Sequence, residues 1–152
     1  MSVRPLRPDD IPVLAPALAA LPLMTRYRRS ADQLSADLAV ALARGDGLLA
    51  WEVLGEARGL AWFLRDGTFG LGGYLRLIAL AEGAQGGGAG TALLVAFEAE
   101  VAKASRHAFL LVSDFNASAQ RFYERHGYAR VGALPGLVVP EVGEIVYWKR
   151  LR

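Results

Sequence analysis

Cysteine is absent from the chain, and histidine occurs only as His107 and His126. These absences exclude disulfides, thiolate nucleophiles and the common structural zinc sites, and they leave too few imidazoles for a histidine-built metal centre. A carboxylate site is not excluded by that count, but no metal is expected. An excess of one charge is lacking as well. With 17 Lys and Arg against 15 Asp and Glu the net charge is +2, too small for a surface built to neutralise phosphates, so nucleic acid is not an expected partner. No stretch approaches ~18 uninterrupted apolar residues, and Met1 to Asp10 carries Arg4, Arg7, Asp9 and Asp10 in place of an apolar signal core. The expectation is a cytoplasmic protein with no membrane partner. What the chain does have is material for a core: 53% of its 152 residues are hydrophobic, which suits one domain spanning 1–152.

Val3 to Asp10 reads as a short extended piece, because a residue that precedes proline is pushed out of the helical region. Asp9 or Asp10 then caps a helix carrying Leu14, Leu18 and Leu21, which Pro16 is expected to kink or restart. Ser30-Ala31-Asp32-Gln33 has the form of a capping box, and Leu34, Leu38, Ala41 and Leu42 continue a second helix to Gly45. Apolar runs over Leu48–Leu54 and Leu60–Leu64 predict a hairpin with its turn over Gly55-Glu56-Ala57-Arg58-Gly59. A loop over Gly67–Gly73 leads to a nearly continuous apolar run, Tyr74–Ala81, which reads as a central strand covered on both faces. Thr91–Ala104 is helical with Leu94, Phe97 and Val101 on one face, His107–Val112 is a buried strand, and Asn116–His126 is a helix stopped by Gly127. Tyr128–Leu134 and Ile145–Lys149 are the last two strands. The order β-α-α-β-β-β-α-β-α-β-β describes an α/β fold with a mixed, α+β sheet.

Between the strand Tyr74–Ala81 and the helix beginning near Gly90 lies Gln85-Gly86-Gly87-Gly88-Ala89-Gly90-Thr91. Such a turn at a helix N-terminus exposes backbone amides and the positive end of the helix dipole, and glycine lets an anion come close. The alternative is structural: small residues there also permit tight packing of strand against helix. No Lys follows the last glycine, so the stretch is not a nucleotide-hydrolysing P-loop. A dinucleotide fingerprint requires Thr91 in the last glycine position and lacks a second βαβ half.

The stretch Gln85-Gly86-Gly87-Gly88-Ala89-Gly90 resembles the Q/R-x-x-G-x-G/A signature of the GNAT superfamily of N-acetyltransferases, and it stands after the fourth strand as in that family. Asn116 to Tyr128 resembles the same family's N-x-x-A-x-x-F/L-Y-E-x-x-G-F/Y segment. The resemblance implies the GNAT fold, acetyl-CoA as cosubstrate, and direct transfer of acetyl to a primary amine without a covalent enzyme intermediate. Gln85, Gly86, Gly87, Gly88, Ala89, Gly90 and the Thr91 hydroxyl would then hold the pyrophosphate. The backbone of Ile78, Ala79 and Leu80 would pair with the pantetheine arm as an added strand does, with Leu80 the foremost partner. Asn116 would contact the same arm, its other reading being an N-cap.

Tyr123 matches the tyrosine that many members use as general acid towards the departing thiolate, a role for which a phenol within hydrogen-bond reach is suited. Its other reading is a core aromatic beside Ala119 and Phe122. The base is less defined. Many members place a Glu in the fourth strand, but Tyr74–Ala81 has no acid, so Glu82 is the nearest catalytic candidate, with Glu52, Asp114 and a water chain as alternatives. His107 reads as structural. By the same resemblance the acceptor site falls on Met24–Arg29 and Pro135–Gly143, where Tyr27 and Leu137-Val138-Val139-Pro140 suggest an apolar wall and Arg26, Arg28 and Arg29 a solvated face. The expected acceptor is a small-molecule or peptide amine. A protein N-terminal or lysine acetyltransferase and an inactive CoA-binding sensor are the rival readings, and a homodimer is left open.

Overall fold

A computed structural model describes residues 1–152 as one seven-stranded mixed sheet in the order β1-β2-β3-β4-β5-β7-β6. Its elements are β1 (Ser2–Pro5), α1 (Ile11–Ala19), α2 (Pro22–Arg26), α3 (Ala31–Arg44), β2 (Gly47–Val53), β3 (Glu56–Thr68), β4 (Gly72–Leu80), α4 (Ala89–Ala102), β5 (His107–Ser113), α5 (Ala117–Arg125), β6 (Ala129–Leu134) and β7 (Glu144–Arg150), with a single 3-10 turn at Pro8–Asp10. This is the expected α/β class and order, with α2 as an added short helix.

Period-two alternation divides the sheet between two cores. Leu60 and Trp62 of β3 join Leu14, Leu18, Leu34 and Leu38 of α1 and α3 on one face. Their neighbours Ala61 and Phe63 join Leu93, Phe97 and Val101 of α4 and Tyr147 of β7 on the other. The capping box forms as predicted: the Ser30 hydroxyl accepts from the Gln33 amide at 3.1 Å, and the Gln33 side chain accepts from the Ser30 amide at 2.9 Å. Gly45 ends α3 at φ +83°.

Several boundaries differ from the sequence reading. Pro16 sits inside α1, and the chain breaks later, at Leu21, whose extended ψ of 144° is what Pro22 demands of the residue before it. The β2–β3 turn is only Leu54-Gly55, both at positive φ (53° and 82°), which matches the right-handed twist of a hairpin. Glu56 and Ala57 are therefore already paired in β3. Gly59 serves close packing instead, since a Cβ there would stand 2.6 Å from Leu80. The expected loop over Gly67–Gly73 is likewise mostly strand: β3 runs to Thr68 and pairs with Gly72. Gly72 is small because its Cβ would lie 2.8 Å from the His107 carbonyl, and Gly73 because its Cβ would lie 2.3 Å from Val101.

The central feature is how little β4 and β5 share. Their parallel pairing covers only Gly72–Leu75 against His107–Leu110, whereas β4 stays paired with β3 as far as Leu80 and β5 stays paired with β7 as far as Ser113. Beyond Leu75 and Leu110 the two strands part, and the sheet opens into a cleft between its halves.

Gly73 sets how closely α4 lies on β4, so Gly73→Ala is expected to overpack that contact and destabilise the fold by about 1–3 kcal/mol. Urea unfolding followed by circular dichroism measures this, and an unaltered midpoint would remove the close-approach account.

Candidate functional site

The turn after β4 owes its shape to its glycines. Gly86, Gly87 and Gly88 have φ of +82°, +64° and +85°, a region that costs other L-residues roughly 1–2 kcal/mol each. A Cβ on any of these three would meet nothing within 4 Å. Packing therefore does not explain them, and the space over them is open. Only Gly90 has a neighbour, with its Cβ position 3.5 Å from the Phe122 ring. Gly88 caps α4 without a side chain. The Ala89 amide leans on the Gly86 carbonyl at 3.5 Å and the Ala92 amide bonds the Gly88 carbonyl at 3.0 Å, while the amides of Gly86, Gly87, Gly88, Gly90 and Thr91 bond nothing within the chain. Free donors at the positive end of a fourteen-residue helix form a site for an anion.

Two of the expected turn contacts are altered by their neighbours. The His126 ring sits 2.8 Å from the Phe122 carbonyl at Nδ1 and 3.1 Å from the Thr91 hydroxyl at Nε2. A carbonyl requires the proton on Nδ1, so in the neutral ring Nε2 accepts and the Thr91 hydroxyl donates to it, which spends that proton on the protein. Ala89 is buried and turns its methyl into the core. Gln85 donates from Nε2 to the Leu80 carbonyl at 3.2 Å, so its side chain ties the turn to the end of β4.

A cleft of about 680 Å³ runs from this turn into the gap between β4 and β5, lined by Ile78, Ala79, Leu80, Gln85, Gly86, Gly88, Gly90, Thr91, Asn116 and Tyr123. Arg121 and Arg125 of α5 also line it; one turn apart on the helix, they add positive charge that the sequence reading passed over. Asn116 is an N-cap, its Oδ1 accepting from the Ala119 amide at 3.1 Å, and it reaches the cleft from that position.

On the other side of the gap lies a second cavity of about 470 Å³, walled by α2, the β6–β7 loop and the outer parts of β4 and β5. Leu23, Ile78, Asn116, Ala119 and Tyr123 line both spaces. Tyr123 is 9% exposed and packs edge-on to Phe122 and Tyr128, with ring centroids 5.1 and 5.7 Å away. Burial alone pushes its phenol well above the ordinary range, so it keeps its proton at neutral pH.

The second cavity holds a group that the sequence reading missed. Glu144, the first residue of β7, is 5% exposed and accepts a hydrogen bond from the Tyr27 hydroxyl, whose oxygen in turn accepts from Ser113. Tyr27 is pushed up to about 12, first by burial and then by the adjacent carboxylate. No local pattern marked it: Glu144 precedes Ile145-Val146-Tyr147-Trp148 in a strand that ends in the charged Lys149 and Arg150.

The acids considered as base stand elsewhere. Glu82 is exposed on the turn beyond β4 and lines neither space; β4 has ended at Leu80, and Arg58 holds the Glu82 carbonyl at 2.9 Å on the outer side. Glu52 pairs with Arg4, and Asp114 accepts from the Gly143 amide at 3.0 Å. His107 accepts from the Trp148 indole at 3.0 Å, a structural role. Arg29 pairs with Asp37, Arg28 with Glu141, and Arg26 lies over Phe115. Val138 and Val139 of the apolar loop do line the second cavity. No helix is long and apolar enough to cross a membrane, and no group of three or more His, Asp or Glu side chains is placed to hold a metal ion.

The model of the Acetyltransferase (GNAT) family matches residues 17–128. Solved structures share the fold over nearly their whole length. Ard1 from Thermoplasma volcanium is 22% identical with a TM-score of 0.79, covering 98% of this chain and 96% of its own. An aminoglycoside 6'-N-acetyltransferase complexed with coenzyme A is 18% identical at 0.79, covering 100% and 98%. The ribosomal-protein-alanine N-acetyltransferase from Brucella melitensis is 17% identical at 0.77, covering 99% and 99%. No curated protein matches the chain.

The Tyr27 environment has a measurable consequence. The spectrophotometric difference between the parent and Tyr27→Phe is expected to show one phenol titrating near 12 in place of the ordinary ~10. Because the folded value is raised, the stability it brings is present below about pH 10 and is lost as pH climbs through the folded midpoint. A difference midpoint near the ordinary ~10 would mean that Tyr27 is neither buried nor held against Glu144 in solution.

Proposed function

The chain belongs to the GNAT acetyltransferase family, and from that premise we propose that it transfers an acetyl group from acetyl-CoA to a primary amine by direct attack on the thioester. The observation that carries this reading is the turn Gln85–Thr91, whose open glycines and unbonded amides suit a pyrophosphate. Acetyl-CoA, when bound, supplies the activated acetyl group. The amides of Gly86, Gly87, Gly88, Gly90 and Thr91 would hold its phosphates, with Arg121 and Arg125 adding charge at the cleft mouth. The edge of β4 that β5 leaves free, over Ile78 to Leu80, offers backbone groups to an amide-bearing arm as a sheet edge does. Asn116 reaches the same space from the N-cap of α5.

Tyr123 stands where the two spaces meet, protonated and with its hydroxyl free of partners within the chain, which supports its reading as the general acid that protonates the leaving thiolate. No acid on β4 is available as base, and Glu82 lines neither cavity, so a water-borne proton path from the second cavity is the reading the placement supports. The compact, largely apolar second cavity favours a small amine or the end of a peptide as acceptor.

The test is CoA release measured across a panel of amines and peptides. Acetyl-CoA binding without turnover of any of them would leave a CoA-binding sensor as the better reading. Gly88→Glu is expected to abolish acetyl-CoA binding in calorimetry, because it sets a carboxylate against a phosphate. At φ +85° it should also cost roughly 1–2 kcal/mol of stability, so Gly88→Ala serves as the control for strain. Undiminished binding by the Glu variant sinks the phosphate assignment.

Tyr123→Phe keeps the ring and removes the proton. Acetyl-CoA affinity should hold while kcat falls on the order of 10²-fold or more if chemistry limits turnover. An unchanged kcat returns Tyr123 to a packing role, and melting curves exclude a folding defect.

A further inference from the structure

Among the five non-hydrophobic residues that line the second cavity, Arg29, Arg76, Ser113, Asn116 and Glu144, only Glu144 is an acid. A carboxylate this deeply buried normally has a counter-ion, because an unpaired charge in an apolar site is costly. Glu144 has none: it forms no ion pair with any Lys or Arg of the chain, and the two arginines of the cavity are engaged elsewhere. Arg29 pairs with Asp37, and Arg76 lies 4.4 Å over the Trp62 ring. No side-chain oxygen or nitrogen sealed from solvent lacks a partner. Glu144 Oε2 takes the Tyr27 hydroxyl, and no donor of the chain reaches Oε1, so that oxygen opens towards the cavity.

The relay behind Glu144 has a direction. Ser113 donates to Tyr27 and Tyr27 donates to Glu144, which spends both hydroxyl protons inside the protein and leaves lone pairs of Ser113 Oγ and Glu144 Oε1 for a ligand. The corner formed by Glu144 and Ser113 thus presents acceptors, which suit a group with several N–H donors and a positive charge, while Arg29, Arg76, Asn116 and Tyr123 carry the donors elsewhere on the wall. Tyr27 and Tyr74 also line the space, and aromatic faces attract a cation. Asp114 lies close enough for its charge to bear on Tyr27, so a second anion near Glu144 would be repelled.

We propose that Glu144 is the ammonium anchor of the acceptor pocket, and that it restricts the acceptor to a protonated amine with an apolar body. This rests on the acetyltransferase reading for its consequence in turnover. The binding itself is independent of that reading.

The probes are phenethylamine, its neutral analogue 2-phenylethanol and the anion 3-phenylpropionate, with putrescine and an alanine-amide as further cations. Each is titrated into the full chain by calorimetry, with and without saturating CoA. The expected order for the parent is cation, then neutral, then anion. Glu144→Gln preserves an acceptor for Tyr27 and removes the charge. It should weaken phenethylamine on the order of 10- to 100-fold, leave 2-phenylethanol and acetyl-CoA binding unaltered, and raise KM for the amine far more than it lowers kcat.

Glu144→Asp should recover part of the cation affinity. Parent affinity for 3-phenylpropionate equal to that for phenethylamine, failure of every cation to bind, or a Glu144→Gln variant that binds the amine as the parent does would each overturn the anchor. The parent series needs no variant, so a folding defect in Glu144→Gln leaves the question decidable. Failure of acetyl-CoA binding by the parent would count against the acetyltransferase reading alone.

Discussion

Everything of functional interest follows from the point at which two parallel strands stop sharing hydrogen bonds. β4 and β5 pair over four positions and then part, each held in its own half of the sheet by an antiparallel neighbour. The parting leaves one edge of β4 with unsatisfied backbone groups facing a cleft, a situation a sheet normally avoids or covers. It also exposes the inner faces of Leu77, Ile78, Leu111 and Val112, which become walls of cavities. The fold tolerates this opening because the core against α4 spans it, joining Leu75 of β4 to Leu110 of β5 and Tyr147 of β7.

The same opening sorts the chemistry. At one end the glycine turn and α4 present amides and the positive end of a helix dipole, with two arginines of α5 nearby. At the other, β7 delivers a single buried carboxylate backed by two hydroxyls. On the reading proposed above, an anionic donor enters at the positive mouth and the acceptor amine meets it from the side of Glu144, where Tyr123 stands with its phenol protonated.

Much of the first end was legible in the sequence. Glycines in a run between an apolar strand and a helix signal a conformational demand, and Asn116 through Tyr128 carries its own spacing of cap, apolar stripe and stop. The second end was not legible. Glu144 is one acid among fifteen, and nothing adjacent to it in the chain distinguishes it. Its partners Tyr27 and Ser113 are 117 and 31 positions away, brought to it by the short helix after Pro22 and by the register of β5 against β7. Glu82 was favoured for its proximity in sequence to β4, but the strand ends two residues before it and the turn carries it outward. Thr91 was taken for a phosphate donor because the His126 ring that occupies its hydroxyl comes from a different helix.

The sequence by itself determined local matters: where helices begin and end, which strands are covered on both faces, and which turn must accept positive φ. These are decided within a few residues by capping, periodicity and steric exclusion at Cβ. Tertiary structure decided which glycines serve packing and which serve approach, since Gly59, Gly72 and Gly73 abut other elements while Gly86, Gly87 and Gly88 face open space. It decided also which acid is buried without a counter-ion. Both are questions of what lies across a gap, and the distance across a gap is set by strand order and register, which no local pattern encodes.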